Sequence, residues 1–311
     1  AFAGLLVAIQ LATRITDTGW EAEVAIPFSS VRFRAGEGRT WGVNFGRGRR
    51  RSFEIAFWAG PLDHALRVSQ AGELRGLDLA RAPRRIEGIA YGLSRLQEGE
   101  DPFWDAGLDL RWAVNSGTSL VGTVNPDFAT IEADREQVNL TRFEVGLPEK
   151  RPFFLEGAEL FRQRIQTFYS RRVADIRGGG RLVGKQGPWT FAFLGAGAAA
   201  VVLGDTVGAS YGVARVQRAL GRSSVGATWA ERRAGGSGQG SAGLDATLFF
   251  SPIFGFTGQL VQSYGAFDDG ATAFFLRPSY DSPTGHFHVR YSHLGDRFGD
   301  NVNAVGFVRD D

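Results

Sequence analysis

From Ile86 onward the chain is divided into segments of about ten residues, alternating in polarity and separated by Gly, Asn, Asp or Pro. Side chains of an extended strand point to opposite faces in turn, so each such segment carries one apolar and one polar face. In Gly243–Phe250, Leu244, Ala246, Leu248 and Phe250 oppose Asp245 and Thr247. In His286–Leu294, Phe287, Val289 and Tyr291 oppose His286, His288, Arg290 and Ser292. The pattern predicts strands at 86–96, 106–114, 119–124, 177–184, 189–194, 210–220, 223–232, 243–250, 253–264, 271–280, 286–294 and 302–308. Their length and spacing suit the tilted strands of a transmembrane barrel. Alternation alone also suits a water-soluble sheet with one buried face. Aromatic residues near strand ends (Tyr264, Phe267, Tyr280 and Tyr291) favour the barrel, because such rings settle at membrane interfaces.

Composition narrows the remaining choices. The 43 glycines among 311 residues, roughly twice the usual share of about 7%, imply many tight turns and an all-β chain. The absence of cysteine excludes disulfides, zinc thiolates and thiol catalysis. A formal net charge of +2 carries no nucleic-acid footprint. No GxSxG, P-loop or HExxH signature is present, and GGG at 178 and GAGAAA at 195 lack the strand–turn–helix context of a dinucleotide site. The most apolar stretch, Trp189–Gly204, falls short of the roughly 18 residues of a spanning helix. AFAGLLVAIQL at the start lacks an initiating Met and a basic leader, and reads as the inside of a domain that opens upstream.

The first 72 residues have a different rhythm. GWEAEVAIPFSSVRF places Trp20, Ala22, Val24 and Ile26 on one face, which predicts a half-buried strand ended by Pro27 with Trp20 in a core. Strands are expected at Thr40–Gly46 and Glu54–Trp58, around a basic loop Arg47–Arg51, with a linker at Glu73–Arg85. The expected organisation is all-β: a partial β-sandwich over 1–72, a linker over 73–85, and an open or incomplete antiparallel up-and-down barrel over 86–311. An inward charged segment at 125–161 interrupts the barrel.

That segment holds acids Asp127, Glu132, Asp134, Glu136, Glu144, Glu149, Glu156 and Glu159, interleaved with Arg135, Arg142, Lys150 and Arg151. Two carboxylates about 5–10 Å apart could hydrolyse a glycosidic bond, with Glu132, Asp134 and Glu156 as candidates. Interleaving with bases instead favours a polar network inside the barrel, built from Asp127, Glu132, Asp134, Arg142, Glu144, Glu149, Lys150, Arg151, Glu156, Arg171 and Arg172. Within it, Phe153 and Phe154 are expected to pack, Leu155–Phe161 to form one or two helical turns, and FYSRR to sit on a barrel wall facing inward. Asn125, Asp127, Glu132 and Asp134 could offer oxygens to Ca2+, although no loop spacing supports a calcium site. His286 and His288, an i, i+2 pair without an evident third ligand, read as lumen-facing polar residues, so no metal site is assigned.

GWEAEVAIPFSSVRF with TWGVNFGR resembles the C-terminal half of a family 9 carbohydrate-binding module. NPDFATIEADREQVNLTRFEVGLPEKRPFFLEGAELF with FYSRRV and GGGRLVGK resembles an uncharacterised family of bacterial outer-membrane barrels in which such a module precedes the barrel. The resemblance runs over about residues 14–235. It implies a fragment that begins partway through the module and ends after fewer strands than the family carries. It further implies glycan capture at the outer membrane, with a glycan and membrane lipid as partners. Asn44, Arg47 and Trp58 are then the expected sugar contacts, an indole face stacking on a ring and amide or guanidinium groups bonding its hydroxyls. A carbohydrate-active hydrolase and a purely structural envelope barrel are the other two readings.

Overall fold

The computed structural model describes residues 10–26, 33, 35–59, 71–79, 85–97, 99, 101–126, 138–140, 144–202, 204–265, 267, 271–282 and 284–309. Three two-stranded antiparallel ribbons come first. β1 (Gln10–Thr16) pairs with β2 (Gly19–Ala25) across a Thr16–Gly19 turn, β4 (Gly46–Arg49) pairs with β5 (Glu54–Phe57), and β3 (Gly36–Val43) pairs with β6 (Gly72–Leu79). β2 falls where alternation placed it, but all of its residues are exposed, Trp20 included.

Two expectations are corrected here. Arg47–Arg49, read as loop, is strand, because Arg47 and Arg49 register with Ala56 and Glu54. Residues 73–79, read as linker, are strand β6, with Leu74 opposite Trp41 and Leu77 opposite Arg39. The short polar alternation of ELRGLDL was enough to pair, because β3 supplies a complementary edge.

The described residues from Arg85 on include one twelve-stranded antiparallel up-and-down sheet. Its strands are β7 (Arg85–Arg95), β8 (Phe103–Asn115), β9 (Thr118–Val124), β10 (Ile176–Gln186), β11 (Trp189–Val202), β12 (Asp205–Leu220), β13 (Ser223–Ala234), β14 (Ser237–Phe249), β15 (Phe254–Tyr264), β16 (Thr272–Ser282), β17 (Gly285–His288) and β18 (Tyr291–Leu294). Each of β8 to β17 pairs with its predecessor, and β18 shares β16 with β17. β7 and the β17/β18 edge are not bonded to each other, so the sheet is open.

One predicted strand is corrected. Residues 302–308 end a short helix, α2 (Phe298–Val302), and continue as a turn. Val302 and Val305 are both 0% exposed, three residues apart on one side of that turn. The Asn303 amide closes it, donating to Val308 O at 2.9 Å and accepting from Val308 N at 2.7 Å.

The sheet has a covered and an open face. The covered face meets two segments: 144–175, lying between β9 and β10, and 295–309. Val183, Leu194, Val213, Ala230, Val261 and Phe275 pack there against Phe153, Phe154, Phe161, Phe168, Phe298 and Val305. The covering segments hold each other through Tyr169 N to Val305 O at 2.8 Å and Phe307 N to Gln166 O at 2.9 Å. GGGRLVGK supplies room for this layer. A Cβ at Gly179 would come within 3.0 Å of the Phe153 ring, so glycine there lets the aromatic rest on bare backbone.

Candidate functional site

The covering segment is pinned by arginines at three levels. At the first, α1 (Pro152–Leu155) starts with proline at a position where the missing N–H costs nothing, and Arg151 precedes it, almost fully buried. Arg151 Nε and Nη2 donate to the two Glu149 carboxylate oxygens at 2.9 and 2.7 Å. Nη2 also donates to Ser170 O at 2.6 Å and Nη1 to Val173 O, while the guanidinium lies 4.3 Å from the Phe154 ring centroid. Glu149 further accepts from the backbone N–H groups of Lys150 and Arg151 at 2.9 and 2.8 Å. Burial by itself would raise the Glu149 carboxyl, but the Arg151 and Ser170 side-chain hydrogen bonds, the Arg151 backbone and the adjacent guanidinium charge outweigh it and hold the group below its ordinary range.

At the second level, FYSRR clamps the entering chain. It forms a 3-10 turn (Ser170–Arg172) in the covering segment, which corrects its expected place on the barrel wall. Tyr169 Oη accepts from Leu147 N at 2.7 Å and donates to Leu147 O at 3.0 Å. Arg171 donates to Pro148 O at 2.6 Å. Arg172 forks onto Glu144 at 3.1 and 2.5 Å and also reaches Gly306 O at 3.1 Å.

At the third level the segment bonds to the sheet. Glu156 accepts from Ser119 Oγ of β9 at 2.6 Å, Arg111 of β8 at 3.4 Å and Arg181 of β10 at 3.5 Å. Arg181 also donates to Phe153 O. Gln163 donates to Asp245 of β14 at 3.1 Å, and Asp245 is paired with Arg215 of β12. Gln259 of β15 bonds both backbone groups of Ile165, at 2.8 and 3.0 Å. Gly157 makes the turn between these contacts. Its φ of +75° and a would-be Cβ 2.9 Å from Val183 leave no place for another residue.

EKRPFFLEG and FYSRR are thus two halves of one clamp. The sheet partners Arg111, Ser119, Arg181, Arg215, Asp245 and Gln259 escaped the sequence reading. Their signal was a polar residue on the same strand face as small or apolar neighbours, as Arg181 is in GGGRLVGK. Of the glycosidase candidates, Glu156 is occupied in anchoring. Glu132 and Asp134, with Asp127 and Arg142 of the network and most of the calcium set, lie outside the described residues. Asn125 Nδ2 donates to Ala106 O at 2.8 Å. Among the described residues no group of three or more His, Asp or Glu is placed to hold a metal ion. His286 Nδ1 donates to the Asp281 carboxylate at 2.9 Å, and its ring meets that of His288 edge-on at 5.1 Å, both exposed.

The three sugar-contact candidates separate. The Asn44 amide is taken up within the chain, donating to Ala59 O at 3.0 Å and accepting from Ala59 N at 2.9 Å and Phe45 N at 3.0 Å. That bridge fixes Trp58 beside it, 62% exposed and edge-on to Phe45 at 5.8 Å. Arg47 is exposed on β4 of the same hairpin.

The covered face mixes apolar core residues with charged and polar side chains, whereas the open face is almost entirely apolar. By register, its positions on β8–β16 include Trp104, Leu108, Leu110, Trp112, Leu120, Leu182, Trp189, Phe191, Phe193, Val216, Val225, Trp229, Leu244, Leu248, Phe254, Phe256, Leu260, Phe274, Leu276 and Tyr280. They are solvent-facing: Trp104 is 73%, Leu244 62% and Leu260 52% exposed. The charged side chains among these β8–β16 positions are Arg218, Glu231 and Arg233, all toward strand ends. Trp112, Trp189, Phe254 and Tyr280 border the end that carries the β8–β9, β10–β11 and β14–β15 turns, and Trp104, Trp229 and Tyr264 lie toward the other.

Residues 90–180 match a family described as a domain of unknown function, DUF5916. That match spans β7 to β10 and the covering segment, under a third of the chain. No curated protein and no solved structure matches the chain.

Proposed function

We propose that the twelve-stranded sheet is the wall of a bacterial outer-membrane barrel, its open face against lipid and its mixed face, which carries the charged side chains, closed by the clamped segment 144–175. The observation that carries this is that the charged side chains gather on the covered face beside its apolar core, while the exposed face is almost entirely apolar. Arg111, Arg181, Arg215, Asp245 and Gln259 lie on the covered face, while leucines and aromatics stand exposed on the other. A water-soluble sheet buries its apolar face, whereas a membrane barrel turns it outward. The dimensions agree. Phe254 and Tyr264 are ten residues apart, about 33 Å along the strand at ~3.3 Å per residue, or roughly 25 Å of membrane depth at a tilt of ~40°. No helix among the described residues is long and apolar enough to cross a membrane, so any crossing rests on strands.

The same reading assigns glycan capture to the N-terminal ribbons, supported by the exposed Phe45–Trp58 pair with Arg47 on its hairpin. Nitroxide labels at Leu260 and Gln259 in the full-length protein in lipid nanodiscs test the wall. Leu260 should be reached by oxygen and shielded from a water-soluble nickel complex, and Gln259 should be reached by neither. Equal nickel access at Leu260 and at an N-terminal control such as Glu21 would refute a lipid-facing wall. For the ribbons, an oligosaccharide panel should bind wild-type protein and lose binding with Trp58→Ala. A panel bound equally by both would overturn glycan capture at this hairpin.

A further inference from the structure

Glu231 is the sole acid on the open face of β8–β16, and it is buried although its face is exposed. Three neighbours bring this about. Tyr264, two strands away, reaches across Gly240, which pairs with both Glu231 and Tyr264, and donates its hydroxyl to Glu231 at 2.7 Å. Trp229 Nε1 in turn donates to Tyr264 Oη at 2.8 Å. Arg233, one step further toward the hairpin, donates through Nε to the other carboxylate oxygen.

This use of Nε leaves the two terminal guanidinium nitrogens outside the hydrogen bond to the acid, on a side chain 73% exposed. They border a cavity of about 600 Å3 lined by Glu231, Arg233, Tyr264, Gly208, Gly236 and Gly238. With the two-residue turn Gly235–Gly236, both at positive φ, and the flanking glycines, the other side chains that line the cavity are the small ones of Ala234 and Ser237. Below it the apolar face begins with Ala242, Leu244 and Leu260.

We propose that this cavity is a binding site for the phosphate-bearing headgroup of a membrane lipid, its acyl chains lying along Leu244 and Leu260. The proposal rests on the lipid-facing reading of the sheet. Glu231 neutralises one guanidinium charge and fixes its orientation, so a phosphate meets a preset two-pronged donor rather than a mobile cation. Tyr264 and Trp229 supply the belt in which headgroups sit.

The test uses the full-length protein in nanodiscs of phosphatidylcholine doped with phosphatidic acid, read by native mass spectrometry of retained lipid after detergent exchange. Wild-type protein should keep phosphatidic acid over phosphatidylcholine. Arg233→Gln should lower that preference about tenfold, with Arg233→Lys intermediate and Leu260 labels still oxygen-accessible in all three. Preference unchanged in Arg233→Gln overturns the site. Displacement of the retained lipid by millimolar inorganic phosphate would overturn a lipid headgroup as occupant and leave free phosphate in its place. Nickel access at Leu260 in wild-type protein overturns the wall itself, a failure separate from that of the cavity.

Discussion

Replacing Arg151 with methionine tests whether the covering segment is held by its buried ion pair. The substitution keeps most of the side chain's bulk and removes its five donors. It leaves the Glu149 carboxylate, only 10% exposed, without its cation, and orphans the carbonyls of Ser170 and Val173. Breaking a buried pair from one side costs about 3–5 kcal/mol, and each lost carbonyl partner about 1 kcal/mol. Methionine packing on Phe154 offsets part of the loss, so a net destabilisation of about 4 kcal/mol is expected. Distance alone would predict far less. Arg14 and Glu21 approach to 2.5 Å, yet stand 73% and 60% exposed, and such a pair contributes below ~1 kcal/mol. Guanidinium unfolding in detergent, followed by tryptophan fluorescence, measures the shift, with Arg14→Met as the control. Adding Glu149→Gln should recover part of the loss, because the stranded charge is then gone. A cost below about 1 kcal/mol for Arg151→Met, or a double variant as unstable as the sum of the singles, would refute the reasoning.

Acid should act through the same clamp. The folded-state carboxyl of Glu149 lies below its ordinary value of 4.5, so its contribution is complete above that pH and declines as pH falls through the depressed value. Unfolding midpoints between pH 6 and pH 3 should fall less in Glu149→Gln than in wild type, and parallel curves would exclude the linkage. Gly157→Ala forces a side chain into a left-handed backbone against Val183 and should cost about 1–3 kcal/mol, measured by the same unfolding assay. Leu260→Arg on the open face should cost about 2–4 kcal/mol of folding free energy into lipid vesicles if this position lies near mid-membrane, whereas in detergent-free buffer the exposed site would tolerate it.

Much of the sheet was legible because alternation is a local property of strands. β8, β15 and β16 fall within a few residues of their expected bounds, and Asp245 and Leu244 take opposite faces as the pattern requires. The direction of those faces was not legible, since an alternating strand does not say which side water occupies. The covering segment, lying across the sheet, supplied that direction. Val302–Val308 misled for the opposite reason. Its run of apolar residues resembles a strand, but Val302, Val305 and Val308 recur every three residues rather than every two, and Gly306 and Asn303 allow a compact turn against Gln166 instead. The roles of Arg151 and FYSRR also lay beyond local pattern. Their partners are about 20 residues apart in sequence, and an arginine in a motif looks alike whether it faces solvent, ligand or carbonyl oxygen.

The place of the covering segment between β9 and β10 bears on the order of assembly. β10 to β16 are joined by short connections and can grow as successive local hairpins, as can β7 to β9. Joining these two halves means closing a loop of about 50 residues, which costs about 3 kcal/mol more than closing a two-residue hairpin. The seven β9–β10 residue pairs form beside the contacts of Glu156 with both strands, so one nucleation event at this seam can both unite the halves and seat the loop. The seam is therefore expected to form late and to set the folding rate, with Glu156→Gln slowing refolding more than it speeds unfolding.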